Sequence, residues 1–151
     1  MKFPYIECPR DPSPAFPHAD SFQRPDITIN IKNGIDDLDV LALVDSGASH
    51  CIFSFNVGLA LNINIESGPV QRITGVGGAV ISAYFHDVTL QLEDVIWKAY
   101  VGFTTNKLGI GGLLGQNGFF SKFKITFDRT SSSLIVNKRT PLNNFLTRIG
   151  I

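Results

Sequence analysis

The most informative stretch of this sequence reads LVDSGAS at residues 43–49. A run of apolar side chains ends directly on Asp45, which is followed by a hydroxyl residue and a glycine. Taken alone, Asp45-Ser46-Gly47 is weak evidence, because average composition would place such a tripeptide in roughly a few per cent of chains of this length. Asp, Ser and Gly are also common where a strand ends in a turn. A strand-ending turn and a functional aspartate loop therefore both remain open at this point.

The sequence on either side of this stretch predicts strands. Isoleucines at 27, 29 and 31 alternate with polar residues, as in a half-buried strand, and Asn33-Gly34 is typical of a hairpin turn before a second strand at 38–44. Further strand-like segments lie at 62–66, 69–74, 79–92, 94–104, 124–128 and 133–137. Short helices are expected over 54–61, with Ser54 as the cap, and over 116–123. The pattern indicates an all-β protein with one or two short helices.

The 151 residues are enough for one main domain. Six of the eight prolines lie within residues 1–25, and proline lacks an amide donor and restricts the residue before it to extended conformations. We expect 1–25 to be a proline-rich arm or linker outside the main fold. Both a loosely ordered leader and an arm lying on a partner subunit are open. The main domain is expected at 26–137, followed by an unassigned C-terminal tail at 138–151.

Composition excludes several classes of function. Thirteen basic and thirteen acidic residues balance, which removes the usual electrostatic reason for binding nucleic acid or an anionic membrane. No apolar run reaches the roughly 18 residues of a membrane span, and no secretory signal is visible, so we expect a cytoplasmic location. His50 and Cys51 are adjacent and would point to opposite faces of an extended segment. No metal and no cofactor are expected, and Cys51 is predicted to be a buried core residue.

Two later segments change the interpretation of Asp45. Residues 73–80 read ITGVGGAV, about 30 positions after it, and residues 112–117 read GLLGQN, about 70 positions after it. In this order and spacing, the three segments resemble those of the retropepsin-like aspartic proteases. That family has an apolar-apolar-Asp-Thr/Ser-Gly-Ala loop, a flap hairpin and an apolar-apolar-Gly segment. The resemblance covers roughly 26–137 and implies a small closed β-barrel of the acid protease type.

The resemblance also implies roles for individual residues. Asp45 corresponds to the catalytic aspartate, Ser46 to a hydroxyl residue that bonds across to the partner loop, and Gly47 to the glycine whose carbonyl receives the substrate backbone. Ala48 and Ser49 lie beside them on the substrate side. The flap would supply the remaining substrate-binding residues, which are Ile73, Thr74, Gly75, Val76, Gly77 and Gly78. Leu113-Leu114-Gly115 correspond to the segment threaded beside the catalytic loop. For Ile52, Ile73, Val76, Val80 and Ile81, a place in the wall of an apolar pocket and ordinary core packing both remain open.

The sequence departs from the viral members at two positions. Ser49 and Gln116 stand where those proteins have an acidic residue and an arginine that form an ion pair. Because both charges are absent, none is left unpaired. We expect a polar contact between Ser49 and Gln116 in place of the ion pair, and the strength of a dimer is open.

Asp45 has no second copy within the chain, because no other aspartate is followed by Ser-Gly or Thr-Gly. Hydrolysis of a peptide by this chemistry needs one carboxylate as base and one carboxylic acid as acid. The resemblance therefore implies a homodimer that brings two copies of Asp45 together. The predicted function is an aspartic endopeptidase that cleaves extended, hydrophobic peptide segments. The alternative is a non-proteolytic peptide-binding or assembly module with the same fold.

Overall fold

The computed structural model describes residues 1–140, and these residues form an all-β fold, as the alternation of apolar and polar residues predicts. The strands are β1 Lys2–Pro4, β2 Ile6–Pro9, β3 Ser21–Arg24, β4 Asp26–Asn33, β5 Asp36–Val44, β6 Ile52–Phe53, β7 Val70–Thr74, β8 Val80–Leu92, β9 Val95–Thr104, β10 Gly112–Leu114, β11 Phe123–Asp128 and β12 Ser133–Lys138. One α-helix, α1, spans Phe55–Ala60. Within 1–140, no helix is long and apolar enough to cross a bilayer.

The main sheet has seven strands in the order β4-β5-β10-β6-β9-β8-β7, and β4 also pairs with β8. The β4–β8 pairing links the two ends of a run of six strands into a closed circuit of hydrogen-bonded neighbours. Gly34 and Ile35 form the β4–β5 turn directly after Asn33, so the predicted turn is present one residue later than Asn33-Gly34, and Gly34 has a φ of 63° that glycine adopts without strain.

The core consists mainly of buried apolar side chains from the main sheet, from β11 and β12 and from α1, and its largest members include four fully buried phenylalanines, Phe53, Phe103, Phe119 and Phe123. Trp97 packs edge-on against Phe123 with 5.0 Å between ring centroids. Its indole N–H donates a 2.8 Å hydrogen bond to the carbonyl of Gly118, which satisfies the polar atom of this buried ring. Segment 115–122 is thereby attached to β9.

The N-terminal residues differ from the expectation of an arm outside the main fold. β1 pairs antiparallel with β12, which also pairs with β11, and the amino group of Met1 donates to the carbonyl of Val136 at 3.0 Å. Phe3 packs against the core. Pro4 is tolerated because it stands at the end of its strand. β2 and β3 form a separate two-stranded hairpin. The division at residue 25 stays a prediction.

Two local predictions are wrong and one is confirmed. Residues 62–66 were expected to be a strand, but a 3₁₀-helix occupies Ile65–Ser67 after Asn62 at a φ of 52°. Segment 116–123 was expected to be a helix, but it is a series of turns, because Gly118 has a φ of 107° that a helix does not allow. The predicted helix at 54–61 is confirmed as α1. Of the predicted tail at 138–151, positions 141–151 lie outside the described residues.

A buried ion pair holds the start of β4. Arg24 donates to both carboxylate oxygens of Asp26 at 2.6–2.9 Å, and Asp26 is only 1% exposed. The hydrogen bond to Asp26 raises the pKa of Arg24, against a smaller opposing effect of burial. A buried carboxylate is stable only with such a partner.

The short strand β10 passes between β5 and β6. It is parallel to β5, with Leu114 opposite Val44, and antiparallel to β6, with Gly112 opposite Phe53. The next residue, Gly115, is buried against the loop that joins β5 to β6. A Cβ atom on Gly115 would lie 2.6 Å from the carbonyl oxygen of Ala48, which is closer than real side chains come to backbone. The sequence therefore needs glycine at this crossing.

We predict that Gly115→Ala lowers the free energy of unfolding by about 2 kcal/mol or more, because the added methyl must displace backbone rather than a side chain. Urea unfolding monitored by tryptophan fluorescence measures this change. Gly109→Ala is the matched control, since a Cβ there has no neighbour within 4 Å. Equal stability of the two variants would contradict the close packing at this crossing.

We also predict that only one of the two thiols reacts in the native protein. Cys51 is completely buried, and burial raises the pKa of its thiol to about 12, whereas Cys8 is partly exposed. Titration with a chromogenic disulfide near pH 8 should modify Cys8 alone, and both thiols in denaturant. The Cys8→Ser variant should show no reactive thiol until it unfolds. Rapid native reaction of that variant would show that Cys51 is accessible.

Candidate active site

Asp45 lies at the end of β5, where the strand leaves the core and enters a tight loop. Its backbone N–H donates to the carbonyl of Leu114 at 3.1 Å, and its own carbonyl accepts from the N–H of Ala48 at 3.2 Å. The N–H of Gly47 donates to the carboxylate Oδ1 at 2.9 Å. One carboxylate oxygen is therefore oriented by the backbone of its own loop, while the side chain remains half-buried beside solvent.

Two residues that follow β10, Gln116 and Asn117, hold this loop from the other side. The N–H groups of Gln116 and Asn117 donate to the carbonyls of Ala48 and Ser49 at 2.8 and 2.9 Å. The side-chain amide of Gln116 donates to the carbonyl of Ser46 at 2.7 Å. These bonds connect positions about 70 residues apart in sequence, so the loop conformation depends on β10 being in place.

The predicted contact between Ser49 and Gln116 is wrong, because the side chain of Gln116 bonds to a different residue. Gln116 reaches the backbone of Ser46, and the carbonyl of Ser49 accepts from Asn117 instead. The side-chain amide of Gln116 is sufficient here because it donates to a neutral carbonyl. An arginine would be needed to pair with a carboxylate, and Ser49 carries none. The loop is thus held within one chain by neutral groups.

The hydroxyl of Ser46 takes no part in these contacts. Ser46 is exposed, and its hydroxyl has no hydrogen-bond partner in the part of the chain that the structure describes. This side chain is available to a group from outside the chain.

A cleft of about 970 Å³ lies between the Asp45 loop and the β7–β8 hairpin. Its walls include these residues singled out from the sequence: Asp45, Gly47, Ala48, Ser49, Ile52, Ile73, Thr74, Gly75, Val76, Ile81 and Leu113. The others do not line it: Ser46, Gly77, Gly78, Val80, Leu114 and Gly115. Leu114 and Gly115 are buried beneath the loop, and Gly77 and Gly78 lie at the exposed hairpin tip. Within 1–140, no three His, Cys, Asp or Glu side chains form a group suited to a metal ion.

The hairpin above the cleft is regular up to its tip. Ile73 pairs with Ile81 and Thr74 with Val80, and the N–H of Gly75 donates to the carbonyl of Ala79 at 2.8 Å. Gly77 and Gly78 have φ values of 86° and 82°, which only glycine adopts readily. Val76 is fully exposed at the tip. The hairpin therefore presents an apolar tip on a backbone with few steric restrictions.

The sequence did not identify an aromatic part of the wall. His50 packs edge-on against Phe85 with 5.3 Å between ring centroids, and Phe85 packs against Tyr100 at 5.2 Å. All three line the cleft. For His50 the sequence did contain a signal. Cys51 was predicted to be buried, as it is, and adjacent residues of an extended segment face opposite sides, so His50 should face away from the core. Phe85 and Tyr100 come near Asp45 only through strand pairing, which the sequence does not display.

Comparison with known families gives one match. The model of a family described as aspartyl protease matches residues 28–117, which is more than half of the chain and includes the Asp45 loop, the β7–β8 hairpin and β10. Comparison with curated proteins finds no matching sequence.

Comparison with solved structures gives the following similarities. A retropepsin-like aspartic protease from Rickettsia conorii is 18% identical, with a TM-score of 0.56 over 72% of this chain and 88% of that one. The retroviral protease-like domain of Ddi1 from Leishmania major is 15% identical, with a TM-score of 0.51 over 77% and 95%. The EIAV protease complexed with the inhibitor HBY-793 is 21% identical, with a TM-score of 0.49 over 62% and 82%.

The matched segment contains the loop, the hairpin and the threaded strand that build the cleft around Asp45, and the fold is shared with retropepsin-like structures. On these grounds the chain belongs to the aspartyl protease family, with a retropepsin-like fold.

Proposed function

We propose that this protein is an aspartic endopeptidase that acts as a homodimer, with one Asp45 contributed by each chain. The observation that carries the proposal is that, among residues 1–140, Asp45 is the single carboxylate lining the cleft, at the end of a buried strand and on a loop held by backbone hydrogen bonds. The family places this chemistry on such a loop. One chain therefore supplies half of the groups that the reaction needs.

The chemistry requires two carboxyl groups in different states. One takes a proton from the attacking water, and the other donates a hydrogen bond to the carbonyl of the scissile peptide. Two charged carboxylates about 3 Å apart would repel by roughly 5 kcal/mol at an effective dielectric of 20. The pair therefore retains one proton, as in aspartic proteases generally. Water is the nucleophile, so no covalent intermediate forms between enzyme and peptide.

The exposed hydroxyl of Ser46 supports the assembly part of the proposal. It lies one residue from Asp45 and has no partner within residues 1–140. In a symmetric dimer, a donor at this position reaches the corresponding loop of the second chain when the two Asp45 side chains meet at the two-fold axis. Such a bond would fix the distance between the two carboxyl groups.

The cleft supports an extended peptide as substrate. Isoleucines 52, 73, 81 and 110 and leucines 108 and 113 give apolar walls on both sides of the Asp45 loop. We propose that the β7–β8 hairpin is a flap that closes over the peptide, with Val76 at its tip, and that the peptide binds as an added strand through backbone hydrogen bonds. Hydrophobic side chains would flank the cleaved bond.

We predict that Asp45→Asn abolishes cleavage, by about 10³-fold or more, because the amide can neither accept the proton of water nor share one. A library of extended hydrophobic peptides, assayed from about pH 3 to 7, provides the measurement. Asp37→Asn is the matched control, since Asp37 is exposed on the same strand and away from the cleft. Undiminished turnover by Asp45→Asn would exclude the mechanism. Folded wild-type protein that binds peptides without cutting them would favour the peptide-binding module.

We predict that activity follows the dimer fraction. Specific activity should rise with protein concentration in parallel with the molar mass measured by sedimentation, because the monomer has one carboxyl group. Adding excess Asp45→Asn chains should suppress wild-type activity by forming mixed dimers.

The matched pair of variants at residue 46 tests the contact across the axis. Ser46→Ala should weaken the dimer and lower activity, whereas Ser46→Thr keeps the hydroxyl and should retain both. Full activity of a species that sediments as a monomer would contradict the proposal that the active form is a homodimer.

A further inference from the structure

A second cavity, of about 450 Å³, adjoins the cleft. It lies beyond the aromatic part of the wall, between β9 and the turns at 115–122. His50 and Tyr100 line both spaces, so the cavity and the cleft meet at these two side chains. A peptide that leaves the cleft across His50 and Tyr100 therefore enters this cavity.

The cavity walls are held in place by hydrogen bonds rather than left open by loose packing. The Trp97 indole N–H donates to the Gly118 carbonyl at 2.8 Å, and the Gly118 N–H donates to Oγ of Ser121 at 3.2 Å. The side-chain amide of Asn117 lies 3.5 Å from Nε2 of His50. These contacts connect β9, the Asp45 loop and the turns at 115–122, so the space is present before a ligand arrives.

The charges around this cavity have one sign. Lys98 and Lys122 line it and are exposed, and no carboxylate lines it. Within residues 1–140, the two ion pairs that form are Arg24–Asp26 and Lys138–Asp94, so neither cavity lysine is paired there. Asp87 is opposite Tyr100 on β8 but lies outside the cavity wall. The cleft itself also carries a cation, Arg72, and no carboxylate besides Asp45.

The strand geometry of β9 sets the spacing. Tyr100 and Lys98 are two residues apart and are both exposed, so they project from the same face of the strand, about 7 Å apart. An extended peptide advances by the same distance over two residues. A side chain two residues beyond the one that contacts Tyr100 therefore comes within reach of Lys98.

We propose that the second cavity is a distal substrate subsite that accepts an acidic side chain of the peptide, paired with Lys98 and Lys122. The proposal depends on the proposed function, because the peptide reaches the cavity through the cleft. It adds a substrate class: peptides with apolar residues at the cleaved bond and a glutamate or aspartate farther along, on one side of that bond.

Peptide binding to the Asp45→Asn protein tests the subsite without requiring cleavage. Each fluorescent peptide carries one glutamate within an otherwise apolar and neutral sequence, at each position in turn, and is compared with its glutamine counterpart by anisotropy. We expect the glutamate peptide to bind about three- to tenfold more tightly at one position, the range for one or two exposed ion pairs. In Asp45→Asn protein that also carries Lys98→Gln and Lys122→Gln, this preference should disappear.

Two further variants separate a specific subsite from general attraction. The double variant Lys98→Glu and Lys122→Glu should reverse the preference, so that a lysine peptide binds more tightly than its glutamine counterpart at the same position. Lys124→Gln is the matched control, because this exposed lysine lies on β11 outside both cavities, and it should leave the glutamate preference unchanged.

The outcomes distinguish the two proposals. Equal binding of glutamate and glutamine peptides at every position, or a preference that survives loss of both lysines, overturns the subsite even if wild-type protein cuts peptides. A glutamate preference that requires the lysines, together with wild-type protein that cuts none of the peptides, supports the subsite and overturns the endopeptidase. The absence of any peptide binding overturns both.

Discussion

The backbone hydrogen bonds between the Asp45 loop and the segment after β10 are the constraint on which the site depends. Asp45, Ala48 and Ser49 bond to Leu114, Gln116 and Asn117, and Gly115 passes between them with no room for a side chain. Because the side chains of β10 alternate, a shift of one residue in its register would exchange the buried Leu114 with Leu113, which faces the cleft. The position of the carboxylate and the apolar cleft wall are therefore set together.

The set of hydrogen bonds that holds the Asp45 loop has a consequence for assembly. All of its groups are backbone or neutral amide, and they are complete within one chain. The Ser46 hydroxyl takes no part in these hydrogen bonds, so a second chain can bind to it without breaking any contact that holds the loop. A rigid loop with a hydroxyl that is unbonded within residues 1–140 is suited to the symmetric pairing proposed above.

Strand β9 contributes both to the core and to the walls of the cleft and of the second cavity. Its inward residues, such as Trp97 and Val101, are buried, while Lys98 and Tyr100 on the outer face line the cavity that adjoins the cleft. The Trp97 indole attaches the turns at 115–122 to the strand through Gly118. The same strand thus stabilises the core, positions the loop after β10 and presents the cationic surface.

The sequence by itself determined the features that depend on near neighbours. Alternating isoleucines predict β4, Asn33-Gly34 predicts its turn, the segment after Ser54 predicts α1, and the burial of Cys51 follows from its place in an apolar segment. The three spaced segments were also enough to indicate the family. In each case the physical signal lies within a few residues or in a recurring motif.

Only the tertiary structure decided which distant residues meet. β1 joins β12 across more than a hundred residues, and Gln116 bonds to Ser46 rather than to Ser49. Residues 62–66 and 116–123 have the composition of a strand and a helix, but left-handed backbone at Asn62 and Gly118 and the packing around them impose turns. Tyr100 and Lys98 are ordinary strand residues until β9 is placed beside the cleft. Pairing and packing partners are set by the whole chain, because their free energy comes from contacts that no local window of sequence contains.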